Sequence, residues 1–235
     1  MTHPMVTWAA LAALASGTSA AADLRPAVVE LFTSQGCNSC PPADALLGEL
    51  AARRDVLALA YHVDYWDTLG WRDRFGLPQS VQRQSAYRQR LGLPSMYTPQ
   101  AVIDGQVDVL GSDRTRLLRL LSQLRLGVPI TAQIRAQDLV VEVGSAAGAR
   151  PCDVLVVSFL PEAITPVGRG ENSGRTLREV NIVRSIRTLG AWQAAEATWR
   201  VRLDEFPADA RSVAVLLQER SSGAIIGAAQ VSLAR

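Results

Sequence analysis

A chain of 235 residues, 48% of them hydrophobic, has room for two small domains or one large one and ample apolar side chain for a core. Its net charge of +2 is too small and too dispersed for nucleic-acid binding to be the main task, and its basic side chains are all arginine, since no lysine occurs. No internal repeat or low-complexity tract divides the sequence.

Residues 6–15 form a short apolar segment followed by small residues that end near Ala20 or Ala22. This is the form of a secretory signal with an A-x-A type cleavage site, so residues 1–22 are expected to be a leader. Neither Lys nor Arg precedes the apolar stretch, which leaves His3 and the terminal amine as its positive groups. The segment is too short for a membrane span, and no cysteine adjoins it to take a lipid. The expected location is periplasmic or secreted, with no stable membrane span.

The apolar run Val28-Val29-Glu30-Leu31-Phe32 leads into Cys37-Asn38-Ser39-Cys40, after which Pro41 and Pro42 suit the first turn of a helix. Ala43, Leu46, Leu47 and Leu50 recur at helical spacing and give that helix one apolar face. Two thiols three residues apart at a helix start are in the order a redox dithiol requires. Orphan N–H groups and the positive helix end stabilise a thiolate on the first cysteine, lowering its pKa from the free value of about 8.5. Cys37 is then the nucleophile and Cys40 the resolving thiol. The alternative is a structural staple, because paired cysteines persist as disulfides outside the cytosol. A staple closing so short a loop constrains little chain entropy.

Val56 to Val63 is almost continuously apolar, as expected for a central parallel strand that completes a β-α-β unit. His62-Val63-Asp64-Tyr65-Trp66-Asp67 begins where that strand ends, and the carboxyl ends of strands border the ligand crevice in open α/β sheets. His62 is the only histidine beyond the leader. With Asp64 and Asp67 close by it is a candidate for proton movement during thiol exchange or for substrate contact. The bland reading makes it a hydrogen-bonded core residue. Trp66, Trp71 and Phe75 either wall a cleft beside Cys37 or, as favoured here, pack this insertion onto the domain.

Pro78 to Leu91, polar, arginine-rich and stopped by Gly92, is expected to be a surface helix. Thr98-Pro99 precedes two apolar runs, Gln100 to Ile103 and Val107 to Leu110, whose Asp104-Gly105 junction predicts a type I′ hairpin. Ser112 or Asp113 then caps a helix carrying Leu117, Leu118, Leu120, Leu121 and Leu124. Beyond Gly127-Val128-Pro129, a linker, the periodicity becomes alternating. Ile130 to Ile134, Leu139 to Val143, Val154 to Leu160, Trp199 to Leu203, Val213 to Gln218 and Ile225 to Val231 are strand candidates, enough for an antiparallel sandwich. Cys152 reads as a buried small apolar residue, with intermolecular pairing as the alternative.

Phe32-Thr33-Ser34-Gln35-Gly36-Cys37 through Pro42, the stretch His62 to Trp71, and Tyr97-Thr98-Pro99-Gln100 resemble the secreted thioredoxin-like family catalogued as domain of unknown function 1223. The resemblance covers nearly all of the chain after the leader and implies a fold with no established substrate. In thioredoxin-like folds a cis proline enters the hairpin and lies against the dithiol, the place that Pro99 matches. The expected fold class is therefore α/β: a thioredoxin-like domain over 23–127, then an antiparallel β-sandwich-like domain over 128–235. Thr98, His62, Asp64 and Trp66 are the accessory or substrate-contact candidates beside Cys37, Cys40 and Pro99. Glu30 is either a proton acceptor for Cys40, as acids are in thioredoxin-like proteins, or a satisfied structural carboxylate. The stretch Arg169-Gly170-Glu171-Asn172-Ser173-Gly174-Arg175, with Leu177, Glu179, Asn181 and Arg184, also resembles the family's pattern; its glycines suit a tight turn and its charges an internal ion-pair network, with an anion site or partner surface as the alternative.

The expected activity is thiol-disulfide exchange with an exported protein or a small-molecule thiol or disulfide. The alternative is a secreted binding or assembly protein whose disulfide is structural. Copper binding by His62, Cys37 and Cys40 is a weaker third, because thioredoxin-like copper chaperones space their cysteines more widely and place the histidine much later. A closed zinc site is hard to assemble with no further histidine. No metal and no cofactor are expected.

Overall fold

The computed structural model describes residues 23–233, so the expected leader lies outside the described residues. The first half runs β1 (Asp23–Leu24), β2 (Ala27–Thr33), α1 (Pro41–Ala51), β3 (Val56–His62), α2 (Pro78–Arg90), β4 (Gln100–Ile103), β5 (Val107–Leu110) and α3 (Arg114–Leu121). The second half is strand throughout apart from one short 3-10 turn. It comprises β6 (Leu126–Gly127), β7 (Ile130–Arg135), β8 (Asp138–Val143), β9 (Cys152–Pro166), β10 (Thr176–Trp192), β11 (Ala197–Arg202), β12 (Ser212–Glu219) and β13 (Ile225–Ser232). Among the described residues no helix is long and apolar enough to cross a membrane.

The result is a mixed α/β structure, mostly sheet. Eight strands form one sheet in the order β13-β12-β9-β10-β3-β2-β4-β5, and β11-β8-β7 form a second. Within the large sheet β2 and β3 are parallel, as are β3 and β10, while the other pairs are antiparallel.

Every residue of β2 and β3 is buried, which is why both read as continuous apolar runs. Alternate side chains serve two cores. Val29, Leu31, Ala58 and Ala60 pack with Leu46, Leu47 and Leu50 of α1 and Leu117 of α3, so the apolar face expected of α1 is the one it buries. Val28, Phe32, Leu57 and Tyr61 pack with Tyr87 of α2 and also with Leu155, Val157, Ala214 and Leu216 from β9 and β12. A third core lies between the two sheets, where Leu139, Val141 and Val201 meet Val154, Val156, Val213 and Val215.

The hairpin after Pro99 turns where expected. Asp104 and Gly105 have φ of 50° and 69°, and Gln106 N–H donates to Ile103 O, which brings Val107 opposite Ile103. Gly105 is needed for a second reason: a Cβ there would stand 2.0 Å from Gly223 O.

The arginine-rich helix differs from the surface helix that its composition predicts. α2 buries Ser80, Gln84 and Tyr87, and Arg83 reaches Glu30 of β2 with Nε–Oε1 2.5 Å and Nη2–Oε2 3.0 Å. Tyr87 also donates to Glu30, and Gln218 of β12 donates to the Tyr87 hydroxyl at 3.0 Å. A buried carboxylate needs such partners, and they turn this helix's polar face inward.

The boundary between residues 127 and 128 falls between β6 and β7. Strands from both sides of it share one sheet, joined at Ile182↔Ala60, and one core. Expressed separately, fragments 23–127 and 128–235 would each expose half of that core, so neither should unfold cooperatively in a denaturant titration. Cooperative unfolding of either fragment would establish independent domains.

Candidate functional site

Cys37 and Cys40 are joined in a disulfide at the carboxyl end of β2, with Cys40 capping α1. A chain of tight turns delivers them: Cys37 N–H donates to Ser34 O at 3.1 Å and Cys40 N–H to Cys37 O at 3.2 Å. The helix start has fewer free donors than its position suggests. Pro41 and Pro42 have no N–H, and the amides of Ala43 and Asp44 both donate to Cys40 O. Stabilisation of a Cys37 thiolate is left to the positive end of α1 and to Ser39, whose Oγ lies 3.4 Å from the Cys37 sulfur.

The peptide Thr98–Pro99 is cis. β2 and β4 pair Phe32 with Gln100, so one further step in register sets Pro99 against Thr33. A Cβ built on Gly111 would lie 3.1 Å from Pro99 Cβ and 3.2 Å from Ala43 Cβ, which places the proline beside the first turn of α1. Trp66 links the same parts: its indole N–H donates to Thr98 Oγ1 at 2.9 Å, and its Cβ would lie 3.1 Å from a Cβ on Gly36. Cys37, Cys40, Trp66, Thr98 and Pro99 therefore surround one spot.

His62 and Asp64 lie behind it and do not meet. His62 is 1% exposed and its Nδ1 is 2.7 Å from Asp73 Oδ2, the carboxylate of a residue eleven positions on. Asp73 also accepts from the amides of Gln35 at 2.8 Å and Phe75 at 2.8 Å. Asp64 is half-buried and its carbonyl accepts from Asp67 N–H, a local turn contact. Glu179 of β10 stands on the other side, Oε1 3.8 Å from His62 Nε2, and neither of these two buried atoms has a hydrogen-bond partner. Asp44 of α1 completes the group through a 2.7 Å bond from Thr33 Oγ1.

Burial opposes a charged His62, but Asp73, Glu179 and Asp44 outweigh it and push the imidazole up to about 9. Burial works against the Asp73 carboxylate as well, and the adjacent His62 holds it below the usual range. Glu179 is pushed up by burial, and burial raises Asp44 to about 7 against the opposing pull of His62 and Thr33.

Gln35 ties this charged group to the cysteine loop. Besides its amide bond to Asp73, its side chain donates to Glu179 at 2.9 Å and Thr165 at 3.1 Å, and accepts from the Trp71 indole at 3.0 Å. Asn172, at the turn between β9 and β10, donates to the carbonyls of Gln35 and Cys37, both at 2.9 Å. Glu171 beside it accepts from Asn38 N–H at 3.2 Å. Under this cover Cys37 is only 1% exposed, while Asn38 and Ser39 face solvent. Asn172→Ala should free two carbonyls and speed reduction of the disulfide by dithiothreitol by about fivefold, in line with the roughly 1 kcal/mol net worth of a hydrogen bond. An unchanged rate at unchanged stability would show that the turn does not control access.

The sequence matches the family described as a protein of unknown function, DUF1223, over residues 28–218. The chain belongs to DUF1223. It is 32% identical to an Agrobacterium tumefaciens protein known from an X-ray crystal structure, with a TM-score of 0.78, 90% of this chain and 96% of that one covered. HBP35 of Porphyromonas gingivalis shares the fold at 15% identity and a TM-score of 0.60, over 89% of this chain and 76% of its own. No curated protein matches the chain.

In this DUF1223 chain, Asp73 and Asp44 are the site residues that sequence reasoning does not reach, whereas Gln35, Asn172 and Glu179 lie in stretches that carry the family resemblance but had no place at the dithiol assigned to them. Asp73 and Glu179 had a signal in principle, since a buried histidine needs an acid and both lie in the stretches that carry the family resemblance or just beyond. Trp71 and Phe75 pack the insertion down: Trp71 touches Gln35, and the Phe75 ring stands edge-on to His62 with centroids 5.5 Å apart. Cys152 is buried and donates to Arg150 O at 3.2 Å, and burial pushes its thiol up to about 11. Among the described residues no group of three or more His, Cys, Asp or Glu is arranged to hold a metal ion.

Proposed function

We propose that this chain is an exported thiol-disulfide exchange protein with a thioredoxin-like first half, in which Cys37 is the attacking thiol and Cys40 the resolving one. The observation that carries this reading is the Cys37–Cys40 disulfide at the start of α1, with cis Pro99 beside it and the only described histidine one strand away. The mechanism follows from the positions. A substrate thiolate attacks Cys37 Sγ and expels the Cys40 thiolate, and a second substrate thiolate then attacks the substrate sulfur of the mixed disulfide and expels Cys37; in the reverse direction Cys37 attacks a substrate disulfide and Cys40 resolves the mixed disulfide. Pro99, Thr98 and Trp66 form the wall against which a substrate backbone would lie. The substrate is an exported protein or a small-molecule thiol or disulfide, and no metal or cofactor takes part.

One observation favours the structural-disulfide reading, namely that both sulfurs are buried. Trapping separates the two. Cys40→Ser should leave Cys37 free to hold mixed disulfides with exported proteins, visible on non-reducing gels, whereas Cys37→Ser should trap few. In the reduced wild type Cys37 should react with iodoacetamide near neutral pH before Cys40. Equal slow alkylation of both thiols with nothing trapped would leave the disulfide as a staple.

A further inference from the structure

The short ribbon of β1 and β6 has two unlike faces. Leu24 pairs with Leu126, and Arg25 N–H donates to Arg125 O at 3.0 Å, which continues the pairing by one step. Side chains alternate across such a ribbon. Arg25 and Arg125 turn inward, where both bond the Asp104 carboxylate, Arg25 Nη1 at 2.7 Å. Asp104 also accepts from Val28 N–H at 3.0 Å, so the ribbon is fixed to the start of β2. Leu24 and Leu126 turn outward and are 68% and 66% exposed. Leu124 is 87% exposed and lines one cleft of about 180 Å³ with Leu24.

Exposed leucines scattered singly are ordinary, whereas three on one fixed face mark a docking surface. Two observations choose its occupant. The first is position. Residues 6–15 are the apolar part of the expected leader, and the eight steps from Ala15 to Asp23 span at most about 29 Å when fully extended. While the leader is in a membrane, the face that begins at Leu24 is held within that distance of it. The second is size and charge. Three side chains are far fewer than the roughly 20–30 residues a side of a standard protein interface, but a lipid surface sets no such minimum. The charges beside the leucines are cancelled, Arg53 by Asp55 at 2.6 Å and Arg25 and Arg125 by Asp104, so apolar insertion is left as the attraction.

We infer that Leu24, Leu124 and Leu126 dock the exported protein on a lipid bilayer, entering the boundary between headgroups and acyl chains without crossing it. This rests on the export in the reading above and not on the exchange chemistry. It also gives the dithiol a setting. β2 begins at Ala27 beside the ribbon and ends at Thr33 before the cysteines, six steps of about 3.3 Å. The dithiol therefore stands about 20 Å along the strand from the docked ribbon and is left uncovered by the lipid.

The test is flotation with vesicles of phosphatidylethanolamine and phosphatidylglycerol, three to one, and with vesicles of phosphatidylcholine. The chain from Asp23 onward holds every described element and leaves out the leader, which would bind lipid by itself. It should float with both vesicles at millimolar lipid, and 0.5 M NaCl should not release it. Leu24→Asp with Leu126→Asp should lower the bound fraction at least tenfold, with the rate of disulfide reduction by dithiothreitol unchanged. If that variant does not fold, Leu124→Asp, outside both strands, should lower it about threefold. A chain that does not float, binding that 0.5 M NaCl abolishes, or aspartate variants that float as wild type overturns the inference. So does a wild-type dimer in sedimentation that these substitutions make monomeric and that lipid does not bind. A chain that floats but does not exchange thiols overturns the exchange reading and leaves this one standing; one that exchanges but does not float does the reverse.

Discussion

Arg83→Met should lower the unfolding free energy by about 3–5 kcal/mol, because it leaves the Glu30 carboxylate buried without its counter-charge. Glu30 is 0% exposed and sits in the centre of the large sheet, with Arg83 on two of its oxygens and Tyr87 as a third donor. The double variant Glu30→Leu with Arg83→Met should recover most of the loss, since replacing both members of a buried pair by apolar groups is far less costly than removing one. Urea titration of the three proteins measures both effects. A single variant as stable as wild type would mean that Glu30 takes up a proton at little cost and that the ion pair does not hold α2 to β2.

Raising the pH from about 6.5 to about 9 should destabilise the fold by roughly 3 kcal/mol, the equivalent of a 2.5-unit rise in the pKa of one histidine. The sign follows from the direction of the shift. His62 binds its proton more tightly folded than unfolded, so its contribution is complete below about 6.5 and is lost as the pH climbs through about 9. Asp44 is raised as well, from 3.8 to about 7, and this removes stability over that lower window as the pH rises. The two effects therefore run in the same direction in successive ranges. Asp73→Asn should remove the upper one and lower stability at pH 6, which thermal unfolding across the pH range measures. Stability that stays level between pH 6.5 and 9 in the wild type would show that His62 is neutral in the folded protein.

Much of the first half is legible in the sequence because its elements carry local signals. β2 and β3 are continuous apolar runs, α1 has helical spacing behind two prolines, and Asp104-Gly105 marks its turn. The second half is harder where the sequence lacks a single face. β10, seventeen residues long, mixes Arg178, Glu179, Asn181 and Arg184 with apolar positions, so no alternation marks it as a strand. It is nonetheless the strand that joins β9 to β3. The candidate site divides in the same way. Cys37, Cys40, Thr98 and Pro99 are read from short motifs, whereas Asp73, Glu179 and Asn172 reach the site through long-range contacts. Asp64 is nearer to His62 in sequence, but the strand end at His62 carries it into a turn, and the loop back to Asp73 supplies the acid.

Equilibrating the folded protein with glutathione buffers of graded potential, and counting free thiols by mass spectrometry after acid quench and alkylation, tests the central claim most directly. An exchange site should come to a reversible balance at a potential between about −270 and −120 mV, the span of known exchange dithiols, with the protein folded throughout. A Cys37–Cys40 disulfide that stays oxidised to below about −300 mV, or is reduced only when the protein unfolds, would contradict the account.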